Sequence, residues 1–186
     1  MRRPSIQTMD ETQRIRDQLL VLRAQSDPNE FEGLVDRWHV VLWRHAYRMT
    51  RDVDAAWDVV QEAWCSIYRG LGGLEDAAAF PKWAFCVVTN KCRDLARRTK
   101  RRETAMSRYE AHLNALDGQP KSNERLDAAL ARLEPDLRVL VGLYYEDSFS
   151  IREISEITGD PEGSIKSRLY RARQELRRMM EETDHG

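Results

Sequence analysis

Residues 150–178 read SIREISEITGDPEGSIKSRLYRARQELRR, and the pattern in this stretch decides the architecture. Ser150 followed three positions later by Glu153 has the form of a capping box, opening a helix whose apolar residues are Ile151, Ile154 and Ile157. Gly159 suits the positive φ with which helices often end. Asp160-Pro161 then restarts the chain as an N-cap and a first-turn proline. Two helices across a tight turn make a helix-turn-helix unit. At about 100° per residue, Leu169, Ala172 and Leu176 fall within about 40° of Ile165. Lys166, Ser167, Tyr170, Arg171, Gln174, Arg177 and Arg178 occupy the opposite arc. One side is core. The other mixes cations with hydroxyls and an aromatic ring, which suits phosphate contacts and base-edge hydrogen bonds in a major groove. A solvated charged face is the bland alternative, and the short preceding helix with its Gly-Asp-Pro turn weighs against it.

Charge is partitioned along the chain. The 186 residues carry a formal net charge of −1, with 33% charged and 41% hydrophobic residues. Segment 82–102 holds eight cations against Asp94, a net of +7, and segment 164–178 holds six against Glu175, a net of +5. Everything else therefore sums to −13. Two basic stretches on an acidic background call for partners segment by segment.

Several classes drop out. The longest apolar run, about 137–145, is far short of the roughly 20 residues that span a bilayer. No apolar stretch follows the opening MRRPS, so no secretory signal is expected. Cys65, Cys86 and Cys92 form no CxxC pair, and His39, His45, His112 and His185 have no metal-ligand spacing with them. There is no glycine-rich phosphate loop or nucleophile elbow. The expectation is a cytoplasmic protein with reduced thiols, not an enzyme, with no catalytic residues, metal or cofactor.

The periodicity is helical nearly throughout, with signals at about 11–25, 29–50, 53–69, 80–102, 124–133, 135–146, 151–158 and 161–180. All five tryptophans precede residue 84, and 103–123 carries few large apolar side chains. The fold class expected is all-α, with two small helical domains on a flexible linker: an extension at 1–16, a first domain at 17–102, a linker at 103–123 and a second domain at 124–182. In the 80–102 helix Phe85, Val88, Cys92, Leu95 and Ala96 share one side. The other side carries Trp83, Asn90, Arg93, Asp94, Arg97, Arg98 and Arg101. Cations that track a backbone, with an aromatic to stack on bases, favour separated strands. Whether Trp83 stacks on nucleic acid or anchors a helical bundle stays open. In the 53–69 helix Asp58, Gln61 and Glu62 stand at i, i+3 and i+4 and share a face, while Val60, Trp64 and Ile67 turn inward. That acidic face is either solvent surface or a docking face for a basic protein.

Three motifs in this order resemble the extracytoplasmic-function (group IV) sigma factors of bacterial RNA polymerase, over nearly the whole chain. Asp58-Val59-Val60-Gln61-Glu62 looks like the signature of conserved region 2.2. Phe80-Pro81-Lys82-Trp83-Ala84-Phe85 with Asn90, Asp94 and the basic run after them is similar to regions 2.3 and 2.4. The run from Gly163 to Arg173, GSIKSRLYRAR, is close to the recognition helix of region 4.2. The resemblance implies a sigma factor that joins core RNA polymerase and directs promoter recognition, melting and initiation. It assigns docking on the largest-subunit clamp to Asp58, Gln61 and Glu62. It assigns the minus-ten element to Trp83, Asn90, Arg93, Asp94, Arg97, Arg98 and Arg101. The minus-thirty-five element goes to Ser164, Lys166, Ser167, Tyr170, Arg171 and Gln174, with the polymerase flap holding the C-terminal domain. An anti-sigma factor is a further implied partner. Two departures stand out: Trp57 sits where the family usually has an acidic residue, and the loop 71–79 lacks the family's basic and aromatic residues. A stand-alone helix-turn-helix regulator acting as a homodimer on operator DNA is the alternative, and a helical adaptor with merely solvated basic faces is a further one.

Overall fold

A computed structural model describes residues 11–105 and 124–184, which fall into two compact units, one on either side of the intervening segment. The described residues are helical, with no strand among them. The first unit holds α1 (Glu11–Ser26), α2 (Phe31–Thr50), α3 (Val53–Gly70) and α4 (Phe80–Ala105). The second holds α5 (Glu124–Arg132), α6 (Pro135–Val141), α7 (Ile151–Thr158) and α8 (Glu162–Asp184). The extension expected at 1–16 gives way at Glu11 to α1, in which the Gln13 amide donates to Asp17 (3.0 Å) across the expected boundary. The linker expected from 103 begins inside α4, and 106–123 lies outside the described residues.

In the first unit α2, α3 and α4 form a bundle with α1 laid along α2. Leu34, Trp38, Leu42 and Ala46 from α2 meet Val60, Ala63 and Ile67 from α3 and Phe80, Ala84, Phe85 and Val88 from α4. Burying one of the larger side chains among them, such as Leu34 or Phe85, is worth about 1.5–3 kcal/mol. Trp38 meets the Phe80 ring edge-on at 5.7 Å. Val60, Trp64 and Ile67 are buried as expected, but Ala96 is exposed, because α4 has by then run beyond the helices that cover its start. Asp17 ties α1 to α2 by accepting from Arg37 Nε at 2.8 Å and from its Nη2 at 3.0 Å. Asp52 caps α3 by accepting from the Ala55 N–H (2.8 Å).

His45 is fully buried, with Nε2 2.8 Å from Thr89 Oγ1. Burial first, and the Arg48 charge second, hold its pKa well below the ordinary value. The native state therefore keeps the ring neutral, while the unfolded chain takes up a proton below about pH 6.5. Stability is full above that value and falls with pH at up to about 1.4 kcal/mol per unit until the folded value is reached. In urea titrations between pH 7.5 and 5, wild type is expected to lose more stability than His45→Gln. Parallel pH profiles would take His45 off the list of acid-labile groups. Cys92 is buried too, and burial pushes its thiol up to about 12, whereas Cys65 is exposed and Cys86 half-buried.

The second unit starts with a polar clasp. Arg138 donates from Nε to Leu130 O (2.8 Å) and from Nη2 to Ala131 O (2.8 Å) and Leu133 O (2.6 Å). One guanidinium thus gathers three carbonyls at the end of α5, where the helix runs out of its own donors; Leu130 O also accepts from Leu133 N at 3.3 Å. Pro135 sits in the first turn of α6, where its missing N–H costs nothing. The helix expected to run to 146 changes to a π-turn, Gly142–Glu146, and Ser148 then takes φ 57°. The capping box is present: Ser150 Oγ accepts from the Glu153 N–H, and the Glu153 carboxylate accepts from the Ser150 N–H at 2.8 Å. Gly159 has φ 69°, the left-handed conformation expected of it.

Candidate nucleic-acid and protein interfaces

Between α7 and α8 the cap differs from the expected one. Pro161 O accepts from Ile165 N (3.1 Å), so Pro161 takes the cap position that Asp160 was expected to fill. The Asp160 carboxylate instead receives Arg168 Nη1 at 2.9 Å, and Ser155 Oγ donates to Asp160 O at 2.7 Å. Both contacts brace the turn that sets the angle of α8. Ile165, Leu169 and Ala172 are buried beneath it. Above, Lys166, Ser167, Tyr170, Arg171 and Gln174 are exposed and Ser164 half-exposed, so the rotation expected from the sequence holds, except that Leu176, expected on the core side, is only half-buried. Tyr170 is 60% exposed, a large aromatic with nothing folded over it.

Arg171 is held by two carboxylates. Its Nε donates to Glu175 (2.8 Å), and its Nη2 donates to Glu134 (3.0 Å), a residue 37 positions away. The Glu175 hydrogen bond and then the Glu134 charge raise its pKa, so it is a permanent cation. Periodicity identified Arg171 but not Glu134, because a contact across 37 residues leaves no local signature.

On α4, Asn90, Asp94, Arg97 and Arg98 are exposed and Arg93 half-exposed, whereas the Arg101 side chain lies outside the described residues. Trp83 does not stand clear. It is half-buried, with its six-membered ring against Gly70, where an added Cβ would sit 2.9 Å from Cζ2. Glycine there lets the indole lie on the α3 backbone, beside the Phe80 ring at 6.2 Å. Of the two open readings for Trp83, this packing favours the bundle anchor.

On α3, Asp58, Gln61 and Glu62 are exposed on one strip. Glu62 also reaches α4, where Lys91 Nζ lies 3.6 Å away. Among the described residues no helix is long and apolar enough to cross a membrane.

Comparison with known proteins gives this geometry a family. Residues 34–102 match the model of Sigma-70 region 2, and residues 123–176 match Sigma-70, region 4. The chain is 31% identical over 163 residues to the ECF RNA polymerase sigma factor SigM of Mycobacterium tuberculosis, covering 88% of this chain and 83% of that one. It is 25% identical over 172 residues to SigW of Bacillus subtilis, covering 84% and 91%. Among solved structures, the sigma factor RpoE of Bartonella quintana, crystallised with the anti-sigma factor NepR, superposes with a TM-score of 0.68 at 22% identity, over 82% of this chain and 97% of that one. CnrH, solved with the cytosolic domain of CnrY, gives 0.60 at 24% identity, over 89% and 97%. These two likenesses show the fold. A helix-turn-helix with its cationic face outward, a basic α4 beside an acidic α3, and matches to both conserved regions place the chain in the sigma-70 family, among the ECF RNA polymerase sigma factors.

Proposed function

We propose that this protein binds core RNA polymerase and directs it to a set of promoters, as a cytoplasmic initiation factor without catalysis of its own. The observation that carries the reading is the outward face of α8, a cationic and hydroxyl-bearing surface held above a buried Ile165, Leu169 and Ala172. In the major groove of the minus-thirty-five element, Lys166 and Arg171 meet phosphates, and Ser164, Ser167, Tyr170 and Gln174 are within reach of base edges. Along α4, Asn90, Arg93, Asp94, Arg97 and Arg98 engage the minus-ten element and help hold melted DNA. Trp83, seated on Gly70, supports that helix from beneath. Asp58, Gln61 and Glu62 dock on the clamp of the largest subunit, and the C-terminal unit meets the flap. By likeness to RpoE, which was crystallised with NepR, an anti-sigma factor is the expected inhibitor.

Two DNA-binding units on one chain hold a promoter tightly only when the polymerase fixes their separation, so the free protein is expected to bind DNA weakly. The test is a run-off transcription assay with purified chain and core polymerase, with mapped starts. Arg171→Ala is expected to weaken promoter binding by the holoenzyme and to lower the slope of log K against log salt by about 1. An unchanged slope would remove Arg171 from the phosphate contacts. Tight promoter binding without polymerase, by a homodimer, would favour a stand-alone regulator instead.

A further inference from the structure

The sequence places all its tryptophans in the first unit, and three of them line one furrow. Tyr68 meets Phe31 edge-on at 5.0 Å, and Phe31 meets Trp64 at 5.7 Å. Trp64 Nε1 donates to His39 Nδ1 at 3.2 Å, and the His39 ring lies 5.0 Å from Trp57. Trp57 touches Trp43 at 6.0 Å, and Trp43 stacks on Tyr47 at 5.4 Å with 7° between planes. The rings thus form a continuous train between α2 and α3. Its floor is Trp64, which is buried, but Trp57 is 44% exposed and Tyr68 and Val40 are each 53% exposed.

This train borders the acidic strip. Asp54 precedes Trp57 by three residues and Gln61 follows it by four, so all three share one edge of α3, with Asp58 beside them. Exposed tryptophan held by its neighbours in one orientation has little conformational freedom left to lose on binding, the hallmark of an interface anchor. The carboxylates decide what it anchors. Nucleic acid would set phosphates against Asp54, Asp58 and Glu62. A second copy docked symmetrically would set acid against acid, since an isologous contact presents the same patch twice. A basic protein suffers neither penalty, and an arginine satisfies both halves of the patch, because guanidinium stacks on indole while donating to carboxylate.

We propose that the aromatic furrow centred on Trp57 is the apolar half of the polymerase-docking surface and seats an arginine-bearing helix of core RNA polymerase, with a guanidinium on the Trp57 ring between Asp54 and Gln61. This rests on the reading that the acidic strip of α3 meets polymerase, and it makes Trp57 a gain where the family's usual acidic residue is lost.

The test is a titration of core RNA polymerase with the full-length chain as wild type, Trp57→Ala and Trp57→Phe. Trp57→Ala is expected to weaken binding tenfold or more, with helix content unchanged, and Trp57→Phe to retain most of the affinity. In the unmutated chain, hydroxyl-radical footprinting is expected to show Trp57 protected by core enzyme, a readout independent of how the variants fold. Affinity of Trp57→Ala within twofold of wild type, or Trp57 oxidised equally with and without polymerase, overturns the proposal. If the acidic strip still proves essential in that case, the docking reading stands and only the furrow is lost. Wild type that does not bind core at all overturns both. Self-association of the free chain that Trp57→Ala abolishes, with core affinity unchanged, hands the furrow to a second copy and overturns the proposal.

Discussion

Asp58→Lys combined with Glu62→Lys is expected to abolish co-elution of the protein with core RNA polymerase, a loss of at least about a thousandfold, with the helix content at the wild-type level. Both side chains are exposed on α3, so neither substitution enters the core formed by Val60, Ala63 and Ile67. Lysine is as good a helix former as glutamate, and the Asp52 cap of α3 is untouched. Among the described residues, the internal contact at risk is the partly exposed pair between Glu62 and Lys91, at 3.6 Å. Such pairs typically contribute less than about 1 kcal/mol. Binding suffers far more, because a reversal of two charges turns complementarity into like-charge opposition, which costs several kcal/mol. Gel filtration with core enzyme and far-UV circular dichroism provide the check, and retained co-elution would move the docking face off this strip.

Ile165→Ala produces the second large effect, and it acts through stability. Ile165 is completely buried where α8 crosses α7 and belongs to a core that includes Ile154, Leu169 and Ala172. Truncating a buried isoleucine to alanine typically costs 2–5 kcal/mol. The described part of this unit spans only residues 124–184, and small units bury too little surface to carry that loss. The amides of α8 are therefore expected to lose hydrogen-exchange protection and promoter-directed transcription to fall at least tenfold. Capture of core polymerase through α3, the proposed docking face, is expected to persist in part. Protected α8 amides in the variant would show that the recognition helix is held by something other than its packing on α7.

Much of the C-terminal unit was legible because its signals are local. A capping box needs residues three apart, a left-handed stop needs one glycine, and an amphipathic face needs only periodicity, so Ser150, Glu153, Gly159 and the buried face from Ile165 to Ala172 were readable. The candidate contacts on α8 came from the family resemblance, and the same rotation put Lys166, Ser167, Tyr170, Arg171 and Gln174 outward. The bundle residues Val60, Trp64 and Ile67 were readable for the same reason. What was missed is polar and distant. Glu134 on Arg171 and Lys91 beside Glu62 depend on how separate helices meet, and periodicity within one helix carries no trace of it. Asp160 looked like an N-cap, but a longer-range partner, Arg168, took its carboxylate and left the cap position to Pro161. Trp83 was ambiguous because rotation alone set it on the basic side, and only the bare backbone of Gly70 explains where the ring rests.

The three cysteines differ in a way that has a practical consequence. Thiol reagents act on the thiolate, so Cys92, buried and with its thiol pushed up to about 12, is shielded at neutral pH, and half-buried Cys86 is less open to attack than exposed Cys65. Cys65 follows Gln61 by four residues and Glu62 by three on the outer strip of α3. A maleimide dye coupled to the native chain under brief, limiting conditions thus settles on the flank proposed to meet core polymerase. There its emission can report each docking event in real time, with no engineered attachment point.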